Sequence, residues 1–361
     1  MKIASIVGTR PNFMKLSAIV GELKKHKAEH VLIHTGQHYD EKMSKLFFDD
    51  LKLPKPDINL EVGSGSYSEQ LGSIIIKLGK VLEGQKPELV IVVGDVNSTL
   101  AGALVAKQLG IKVAHVESGL RSFDMSMPEE INRMLTDRIS DFLFTTEQSA
   151  NKNLMREGAV KNKIHFVGNV MIDTLLKHRR DAANSPILQK LNIKKNGYCI
   201  LTLHRPGNVD SKKQLEFILG ILNEIQRKIK IVFPVHPRTL KNLNRFNLMK
   251  KIAGQKNLIL TEPLGYLDFL KLMSDSKFVL TDSGGIQEET TVLGVPCITI
   301  RNNTERPVTV DEGTNVLVST DRKKIIEACG RLIKGSKIKG KIPNLWDGKA
   351  AERIVKIILN K

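Results

Sequence analysis

Short runs of aliphatic and β-branched residues recur along the chain, and each run ends in a turn or in a cluster of polar residues. Segments with apolar residues at helical spacing lie between many of these runs. Because the runs are apolar at nearly every position, they are typical of parallel strands that are buried on both faces of a sheet. The pattern therefore predicts an α/β fold built from βα units.

The predicted elements form two series, one in each half of the chain. The predicted strands are 2–7, 30–34, 89–93, 112–116, 141–145, 163–167, 198–203, 231–235, 257–261, 278–281, 297–300 and 315–318. The predicted helices are 12–24, 68–82, 98–109, 131–137, 173–181, 286–293 and 347–361.

The strand–helix pattern stops after residue 170 and restarts near residue 197. At 361 residues, the chain also exceeds the size at which one hydrophobic core stops growing, about 250–300 residues. We therefore expect an N-terminal doubly wound domain at 1–170, a linker at 171–196 and a C-terminal doubly wound domain at 197–346. Two such domains would form a cleft between the carboxyl ends of their sheets, where these folds bind ligands.

Composition narrows the class of protein. Hydrophobic residues make up 41% and charged residues 26% of the chain, as expected for a globular protein with a large core. No apolar stretch approaches the ~18 residues of a membrane span, and the short apolar run after Met1 is not typical of a signal peptide. Cys199, Cys297 and Cys329 lack metal-site spacing and predict reduced thiols in a cytoplasmic protein.

The net charge of +18 is concentrated in the second half of the chain. Residues 1–180 carry 25 basic and 21 acidic side chains, whereas residues 181–361 carry 31 and 17. A basic half is compatible with nucleic-acid binding, but only 5% of the residues are aromatic, which leaves few platforms for stacking bases. We expect lysines that serve solubility, no nucleic-acid partner and a small polyanionic substrate.

Polar residues cluster after the predicted strands of the first half. Arg10 and Lys15 follow the first strand, in the segment GTRPNFMK. Asp95 and Glu117 follow two later strands, and Glu129 precedes a helix. Carboxylates at adjacent strand ends predict a proton-transfer site, because burial and mutual repulsion raise the pKa of some of them.

Each of these carboxylates also has a structural alternative. Asp95 would cap the next helix, Glu117 would pair with Arg121, and Glu129 would favour the first turn of a helix. A divalent metal held by Asp95, His115 and Glu117 is a further alternative, but no paired acidic or cysteine ligand set supports it. We expect no metal, and the absence of a G-x-G-x-x-G turn argues against a dinucleotide cofactor.

The second half carries the strongest signal, a predicted strand that runs into Ser283-Gly284-Gly285 and then into a helix. Backbone N–H groups and the helix N-terminus at such a turn bind phosphate, and glycines allow the phosphate to come close. Glu289 lies on the following helical turns, within reach of ribose hydroxyls. Arg306 follows the next strand and supplies a cation.

Histidines follow two other predicted strands of the second half. His204 and Arg205 follow strand 198–203, and His236 follows strand 231–235. A histidine in such a turn acts as a general acid or as a cationic anchor for phosphate. The structural alternative is a helix cap or a solvated side chain.

Many of these segments occur together in one known family. They are GTRPNFMK, TGQHYD at 35–40, GDVNST, HVESGLRS, PEEINR, the histidine–arginine turn, DSGGIQEE, TERPVT and DGKAAERI. With them the chain resembles the non-hydrolysing UDP-N-acetylglucosamine 2-epimerases from end to end. The resemblance implies the GT-B architecture, which has two Rossmann-like domains, an active site in the cleft between them, and a closing helix, here 347–361, that packs back on the N-terminal domain.

The resemblance also implies an activity without NAD or metal. It is the reversible epimerisation at C2 of UDP-N-acetylglucosamine (UDP-GlcNAc) to UDP-N-acetylmannosamine (UDP-ManNAc), through elimination of UDP to 2-acetamidoglucal and re-addition. The family's catalytic residues match Asp95, Glu117, Glu129 and His204, without indicating which carboxylate is base and which is acid. Its substrate-binding residues match Arg10, Lys15, Arg133, His204, Phe269, Ser283, Gly284, Gly285, Glu289 and Arg306.

Some bacterial members of the family have a second, regulatory UDP-GlcNAc site, which matches Gln37, Arg205 and His236. The chain departs from the common bacterial form at two positions, Leu264 and Gly207. The bacterial form often has a polar residue at the first and glutamate at the second. The change at Gly207 puts a secondary contact in doubt, but not the role of the histidine.

Two alternative activities stay open for this chain. A hydrolysing epimerase of the same fold would release free ManNAc and UDP. A catalytically silent regulator would bind the UDP-sugar without exchanging the C2 proton. The resemblance further implies a homodimer and a place in polysaccharide biosynthesis.

Overall fold

The computed structural model describes residues 1–37, 51, 55–63 and 65–360, and for Arg10 the backbone alone. His38 and Asp40, in the segment 35–40, lie outside the described residues. The chain divides into two compact units. Unit 1 comprises Met1–Lys177 and Asn344–Lys361, and unit 2 comprises His178–Pro343.

Strands and helices alternate through both units. The strands are β1 (Lys2–Val7), β2 (Glu29–His34), β3 (Ile58–Asn59), β4 (Leu89–Val93), β5 (Lys112–Ser118), β6 (Phe142–Thr145), β7 (Ile164–Phe166), β8 (Tyr198–Thr202), β9 (Lys230–Pro234), β10 (Leu258–Thr261), β11 (Val279–Thr281), β12 (Cys297–Thr299) and β13 (Asn315–Leu317). The α-helices are α1 (Arg10–Lys25), α2 (Tyr67–Gln85), α3 (Asn97–Gln108), α4 (Pro128–Ile139), α5 (Gln148–Arg156), α6 (Val170–Ala183), α7 (Ile187–Lys190), α8 (Pro206–Val209), α9 (Lys212–Ile225), α10 (Pro237–Arg245), α11 (Met249–Ala253), α12 (Tyr266–Asp275), α13 (Gly284–Leu293), α14 (Val308–Asp311), α15 (Arg322–Ile333) and α16 (Ala350–Leu359).

Unit 1 is built on a parallel sheet with the strand order β3-β2-β1-β4-β5-β6-β7. Strand β1 pairs with β2 on one side, where Val7 lies opposite His34, and with β4 on the other, where Ile6 lies opposite Val92. The chain therefore builds outward from β1 in one direction and then returns to add β4. In such doubly wound sheets a crevice opens at the carboxyl ends of the two strands where the order reverses.

Unit 2 repeats this topology. Its parallel sheet has the order β10-β9-β8-β11-β12-β13, with the reversal between β8 and β11. Thr202 lies opposite Thr281 at the end of these two strands, and their hydroxyls are 2.6 Å apart. The second crevice of the chain is thus expected beside these threonines.

The predicted strands are all confirmed, each to within two residues at either end. The predicted helices are also confirmed, to within three residues. The sequence pattern missed β3, since two residues are too few to show a periodicity. The division between the units, after Lys177, falls inside α6, so that part of the segment 171–196 that we expected to be a linker is helical.

Helix α2 shows how the sequence builds one face of the unit 1 core. It begins after Ser66, whose hydroxyl accepts the Glu69 N–H while the Glu69 carboxylate accepts the Ser66 N–H, a capping box. Ile74, Leu78 and Leu82 recur at four-residue spacing and are fully buried against the sheet. The polar positions between them stay at the surface, as expected for an amphipathic helix.

The closing segment of the chain packs within unit 1. Helix α16 lies against α1, and its first two N–H groups, those of Ala350 and Ala351, donate to the Asp173 carboxylate at 3.1 and 2.7 Å. The single tryptophan, Trp346, is buried and donates from Nε1 to the Thr146 carbonyl at 2.9 Å. Asp173 therefore does for α16 what a helix N-cap residue does, from a different helix.

Replacing Asp173 should weaken the attachment of α16. We expect Asp173→Ala to lower the free energy of unfolding by about 1–2 kcal/mol, because two helix N-terminal N–H groups lose their acceptor. Urea unfolding followed by Trp346 fluorescence, which reports on unit 1, measures the change. The matched control is Asp181→Ala at an exposed position of the same helix α6, and an equal loss in both variants would contradict the prediction.

Candidate active site

The crevice of unit 1 brings a lysine and a glutamate together. Lys15, on the second turn of α1, forms a buried ion pair with Glu117 at the end of β5. Asn12, one turn earlier on α1, donates from Nδ2 to the Val93 carbonyl at 2.5 Å. A Cβ on Gly94, which has φ +73°, would lie 3.3 Å from Lys15 Nζ. Glycine at position 94 thus lets α1 and the end of β4 approach each other.

Glu117 has an unusual backbone conformation. Its φ of +71° lies in the left-handed region that non-glycine residues avoid, and the pairing of β5 with β6 shifts register between Val116 and Ser118. A bulge of this kind redirects a side chain that regular alternation would point elsewhere. Strain of this kind costs about 1–3 kcal/mol and clusters at functional sites.

The half-buried Asp95 and the buried Arg133 form a second ion pair in unit 1. Arg133 donates to Asp95 Oδ2 from Nε at 3.1 Å and from Nη2 at 2.8 Å, and its Nη1 pairs with Glu130. Glu130 is fully buried and also accepts both the hydroxyl and the N–H of Ser122 and the N–H of Phe123. Glu130 therefore fixes the loop before α4 and orients Arg133 toward Asp95.

Glu129 is placed differently from its neighbour. It is half-buried at the second position of α4, and it has no hydrogen-bond or ion-pair partner among the described residues. The structure thus brings Lys15 to Glu117 and Arg133 to Asp95, but it does not join Glu129 to either pair. Arg10 begins α1, and its side chain lies outside the described part of the chain.

The structural alternatives for two of these carboxylates are wrong. Arg121 pairs with Asp137 at 2.7 Å and with Glu157 at 2.6 Å, whereas Glu117 pairs with Lys15. The N-cap residue of α3 is Val96 and not Asp95. Asp95 and Glu117 are thus held by cations from other elements.

A metal held by Asp95, His115 and Glu117 does not fit this geometry. Both ring nitrogens of His115 are occupied, Nδ1 by Asp137 at 2.6 Å and Nε2 by the Gly94 carbonyl at 2.8 Å. The two carboxylates already have cationic partners. Within the described part of the chain, no three histidine, cysteine or acidic side chains are grouped as a metal site would require.

Several polar residues near Asp95 were missed by the sequence analysis. Asn132 donates from Nδ2 to the Asp95 carbonyl at 2.9 Å and accepts the Tyr67 hydroxyl at 2.7 Å. Asn97 donates to Gln70 Oε1 at 2.9 Å. The sequence signal that could have identified Asn97 and Asn132 is their position inside the motifs GDVNST and PEEINR. Their partners on α2 could not be read from the sequence.

The crevice of unit 2 contains a histidine paired with a buried aspartate. His204, after β8, lies with Nδ1 2.9 Å from Asp282 Oδ1, after β11. Asp282 also accepts the N–H groups of His204 and Arg205 and the amide of Asn208, all at 3.0–3.1 Å. Burial alone would raise the pKa of Asp282, but the hydrogen bonds from His204 and Asn208 outweigh it and hold the pKa below its ordinary value. Because the ionised carboxylate only accepts, His204 donates from Nδ1.

The glycine-rich turn predicted in unit 2 opens helix α13. Ser283 is the N-cap residue without a side-chain cap, so that its hydroxyl leaves the first N–H groups of the helix to another acceptor. Arg306 reaches the same turn, because a Cβ on Gly284 would lie only 2.6 Å from its Nη1. Gly285 is the second residue of the helix. The turn therefore combines backbone donors, a helix N-terminus and a guanidinium, the features of an anion-binding turn.

Two buried carboxylates hold Arg306 at this turn. Its Nη1 donates to Glu305 Oε1 at 2.6 Å, and its Nε lies 2.8 Å from Glu288 Oε1. Glu305 also pairs with Arg301 at 2.8 Å and lies 3.6 Å from Arg205. Glu288 and Glu305 therefore hold these arginine side chains in place and offset part of their positive charge.

Glu289 is a predicted site carboxylate with a raised pKa. It is buried on α13 and accepts a hydrogen bond from the Tyr266 hydroxyl at 3.0 Å. Burial, together with the charge of Glu288, raises its pKa to about 7, although the Tyr266 hydrogen bond opposes the shift. Near neutral pH this carboxyl therefore exists in both its protonated and its ionised form.

The remaining predicted residues are placed as follows. Phe269 is half-buried on α12. Gln37 is buried, and its Oε1 accepts the Ser98 hydroxyl at 2.7 Å. His236 is exposed, caps α10 by accepting the Arg238 N–H at 3.2 Å, and has its ring 5.5 Å from that of His204.

Known proteins with similar sequences identify the family of this chain. The sequence model of UDP-N-acetylglucosamine 2-epimerase matches residues 21–359. A UDP-N-acetylglucosamine 2-epimerase of Methanocaldococcus jannaschii is 48% identical over 99% of both chains. The chain belongs to the UDP-N-acetylglucosamine 2-epimerase family. The predicted α/β fold class, with the GT-B-like architecture of this family, is thereby confirmed.

Other members of the family extend the comparison. A crystal structure of the M. jannaschii UDP-GlcNAc 2-epimerase in complex with UDP-GlcNAc and UDP has a TM-score of 0.94 and 47% identity, and it covers 100% of both chains. A UDP-2,3-diacetamido-2,3-dideoxy-D-glucuronate 2-epimerase of Pseudomonas aeruginosa is 40% identical over 99% of both chains. The family thus includes members named for different UDP-sugars.

Among the described helices, none combines enough residues with enough apolar character to cross a bilayer.

The raised pKa of Glu289 predicts that this residue makes the free energy of unfolding depend on pH. Glu289 holds its proton more tightly in the folded state than in the unfolded state. The stability that this tighter binding provides is complete below about pH 4.5 and is lost as the pH rises through about 7. We therefore expect the stability of Glu289→Gln relative to the original chain to increase between pH 5 and pH 8, by about 1–3 kcal/mol.

Urea unfolding followed by far-ultraviolet circular dichroism at both pH values measures this difference. Infrared difference spectra of the original chain and Glu289→Gln should also show a protonated carboxyl that disappears with a midpoint near pH 7. The control is Glu327→Gln, at an exposed position of α15 in the same unit. A stability difference that does not change with pH would contradict the prediction.

Proposed function

We propose that the chain catalyses the reversible epimerisation at C2 of UDP-GlcNAc to UDP-ManNAc, by elimination of UDP to 2-acetamidoglucal and re-addition. The observation that carries this proposal is the match along the whole chain to a relative named UDP-N-acetylglucosamine 2-epimerase, at 48% identity. The arrangement of the site supports it, because buried carboxylates occur in one crevice and an anion-binding turn in the other.

In this proposal unit 2 binds UDP as the leaving group. The C2 proton is only weakly acidic until the C1–O bond stretches and positive charge develops on the sugar ring. The backbone donors of Ser283, Gly284 and Gly285 and the guanidinium of Arg306 would stabilise the departing diphosphate. Asp282 would hold His204 in the tautomer that leaves Nε2 as the ring atom for the substrate. Phe269 and Glu289 would frame the uracil and the ribose.

Unit 1 would supply the proton transfers. Inversion at C2 requires one group to remove the proton and another to deliver a proton to the opposite face, so that at least two carboxyl groups have to differ in protonation. Asp95 and Glu117 are held by the cations Arg133 and Lys15. Glu129 has no such cation beside it among the described residues, so its surroundings differ from those of the other two carboxylates. We propose Glu129 as the acid that complements Asp95 or Glu117.

Nuclear magnetic resonance of UDP-GlcNAc in deuterated water with the enzyme tests the proposal. We expect deuterium at C2 and the appearance of UDP-ManNAc. Free ManNAc with UDP would instead identify a hydrolysing enzyme, and UDP-GlcNAc binding without C2 exchange would identify a silent regulator. A parallel reaction with UDP-2,3-diacetamido-2,3-dideoxy-D-glucuronate tests whether the chain shares the substrate named for its P. aeruginosa relative.

Removal of single carboxylates should separate catalysis from nucleotide binding. We expect Asp95→Asn, Glu117→Gln and Glu129→Gln to slow turnover about 10²–10⁴-fold, the usual contribution of general acid–base catalysis. UDP affinity, measured by isothermal titration, should stay within about twofold, because unit 2 binds the nucleotide.

Two further variants test the specificity of these losses. Glu83→Gln, at an exposed position of α2, should not change turnover. Glu130→Gln should lower stability as well as turnover, since Glu130 anchors the loop before α4. Unchanged turnover in all three carboxylate variants would refute the assignment.

The geometry of Gly284 predicts a specific loss of nucleotide binding. A Cβ at this position would lie 2.6 Å from Arg306 Nη1, so Gly284→Ala should displace the guanidinium and lower UDP affinity about 10-fold or more, on the scale of one charge-assisted hydrogen bond, about 1.5 kcal/mol. Arg306→Ala and His204→Ala should also weaken UDP binding. In the control Gly330→Ala, on α15, the added Cβ meets no atom within 4 Å, and UDP affinity should not change. Full UDP affinity in Gly284→Ala would place the anion site elsewhere.

Three further features that the family resemblance implies stay proposals. They are a homodimer, a second regulatory UDP-GlcNAc site that uses Gln37, Arg205 and His236, and a role in polysaccharide biosynthesis. The molar mass of the protein, measured by light scattering as it elutes from a size-exclusion column, tests the homodimer. Turnover of UDP-ManNAc with and without added UDP-GlcNAc tests the regulation.

A further inference from the structure

His115 is a fully buried histidine on β5, and both of its ring nitrogens face hydrogen-bond acceptors. Nε2 lies 2.8 Å from the carbonyl oxygen of Gly94. Because a carbonyl oxygen has no proton to give, Nε2 is the donor of this hydrogen bond. In a neutral imidazole the other nitrogen, Nδ1, would then have to accept.

The partner of Nδ1 cannot supply that proton. Nδ1 lies 2.6 Å from Asp137 Oδ1, while Asp137 Oδ2 accepts the Gly119 N–H at 3.0 Å and lies 2.7 Å from Arg121 Nη2. The Arg121 guanidinium and the Gly119 N–H can only donate, so both stabilise Asp137 as an ionised carboxylate. An ionised carboxylate only accepts, so Nδ1 donates as well as Nε2.

We propose that His115 is a buried imidazolium that positions the two turns from which Asp95 and Glu117 project. This role rests on the proposed function of those two carboxylates. One side of the ring holds the carbonyl of Gly94, the residue before Asp95. The other side holds Asp137, which in turn holds the N–H of Gly119, two residues after Glu117.

The backbone conformation of both turns explains why hydrogen bonds have to hold them in place. Gly94, Glu117 and Gly119 have φ values of +73°, +71° and +78°. Backbone in this region persists only where the surrounding structure fixes it, above all for a residue with a side chain. His115 and Asp137 connect β4, β5 and α4 at this point, so they fix the two turns relative to each other. Arg121 Nη2 lies 2.7 Å from Asp137 Oδ2 and supplies a positive charge that favours the ionised carboxylate.

The protonation of His115 can be measured directly by nitrogen-15 nuclear magnetic resonance of histidine-labelled protein at pH 7. We expect both ring nitrogens of His115 to show the chemical shift of protonated imidazole nitrogen. His30 provides the internal reference for a neutral ring, since burial lowers its pKa to about 4. Loss of the signals in His115→Gln assigns them, or, if that variant does not fold, single replacement of each of the other histidines does so by elimination.

The positioning role is tested by kinetics on His115→Gln and Asp137→Asn. We expect kcat to fall about 10- to 100-fold, the scale of a misplacement of about 1 Å in a catalytic group. UDP affinity should stay within about twofold, because the nucleotide residues lie in unit 2. In Asp137→Asn, the nitrogen spectrum should also show one unprotonated ring nitrogen on His115. The matched control is His30→Gln, on β2 of the same sheet, which should leave kcat within about twofold.

The outcomes are distinct. One unprotonated nitrogen on His115 in the original chain would overturn the imidazolium, and unchanged kcat in both variants would overturn the positioning role. A parallel loss of UDP affinity would indicate general disruption of the fold and would also overturn it. If the original chain had no epimerase activity, the proposed function and the positioning role would both fail, while the nitrogen spectrum would still establish whether the imidazolium exists.

Discussion

Carboxylates that pair with a specific cation, most of them buried, determine both crevices of this protein. An ionised carboxylate loses several kcal/mol of solvation on burial, and it stays ionised only if charge and hydrogen bonds replace the lost water. Lys15 is the cation beside Glu117, Arg133 is the cation beside Asp95 and Glu130, and Arg306 is the cation beside Glu288. Because each cation comes from a different element than its main carboxylate, these pairs also fix helices against strand ends.

Glu289 is a buried carboxyl without a cation as its main neighbour, and its pKa is raised. It receives a hydrogen bond from a tyrosine and lies beside another acid, Glu288, and its pKa rises to about 7. Two adjacent glutamates on one helix thus have opposite environments, since Glu288 faces Arg306. The side chains of residues i and i+1 differ by about 100° around a helix axis, which is enough to place one against a guanidinium and the other against a phenol.

The sequence predicted the strands well and the pairing of charges poorly, for a physical reason. Apolar runs determine parallel strands locally, and the polar residues after those runs necessarily gather at the carboxyl edge of the sheet. Which charges meet there depends on helix rotation and loop path. The segment PEEINR contains two glutamates, and only Glu130, three residues before Arg133, forms an ion pair with it. Likewise, the contact of His115 with Asp137 spans 22 residues and leaves no local pattern.

The path of the chain through the two units has a consequence for its synthesis. Unit 2 is one continuous segment, His178–Pro343, whereas unit 1 consists of Met1–Lys177 and the returning segment Asn344–Lys361. Helix α16, with its anchor on Asp173, belongs to that returning segment. During translation, the contiguous unit therefore has all of its residues before the discontinuous one does. Residues 1–177 are thus made before the segment that completes their unit, and the face of α1 that packs against α16 stays uncovered until residues 350–359 have been synthesised.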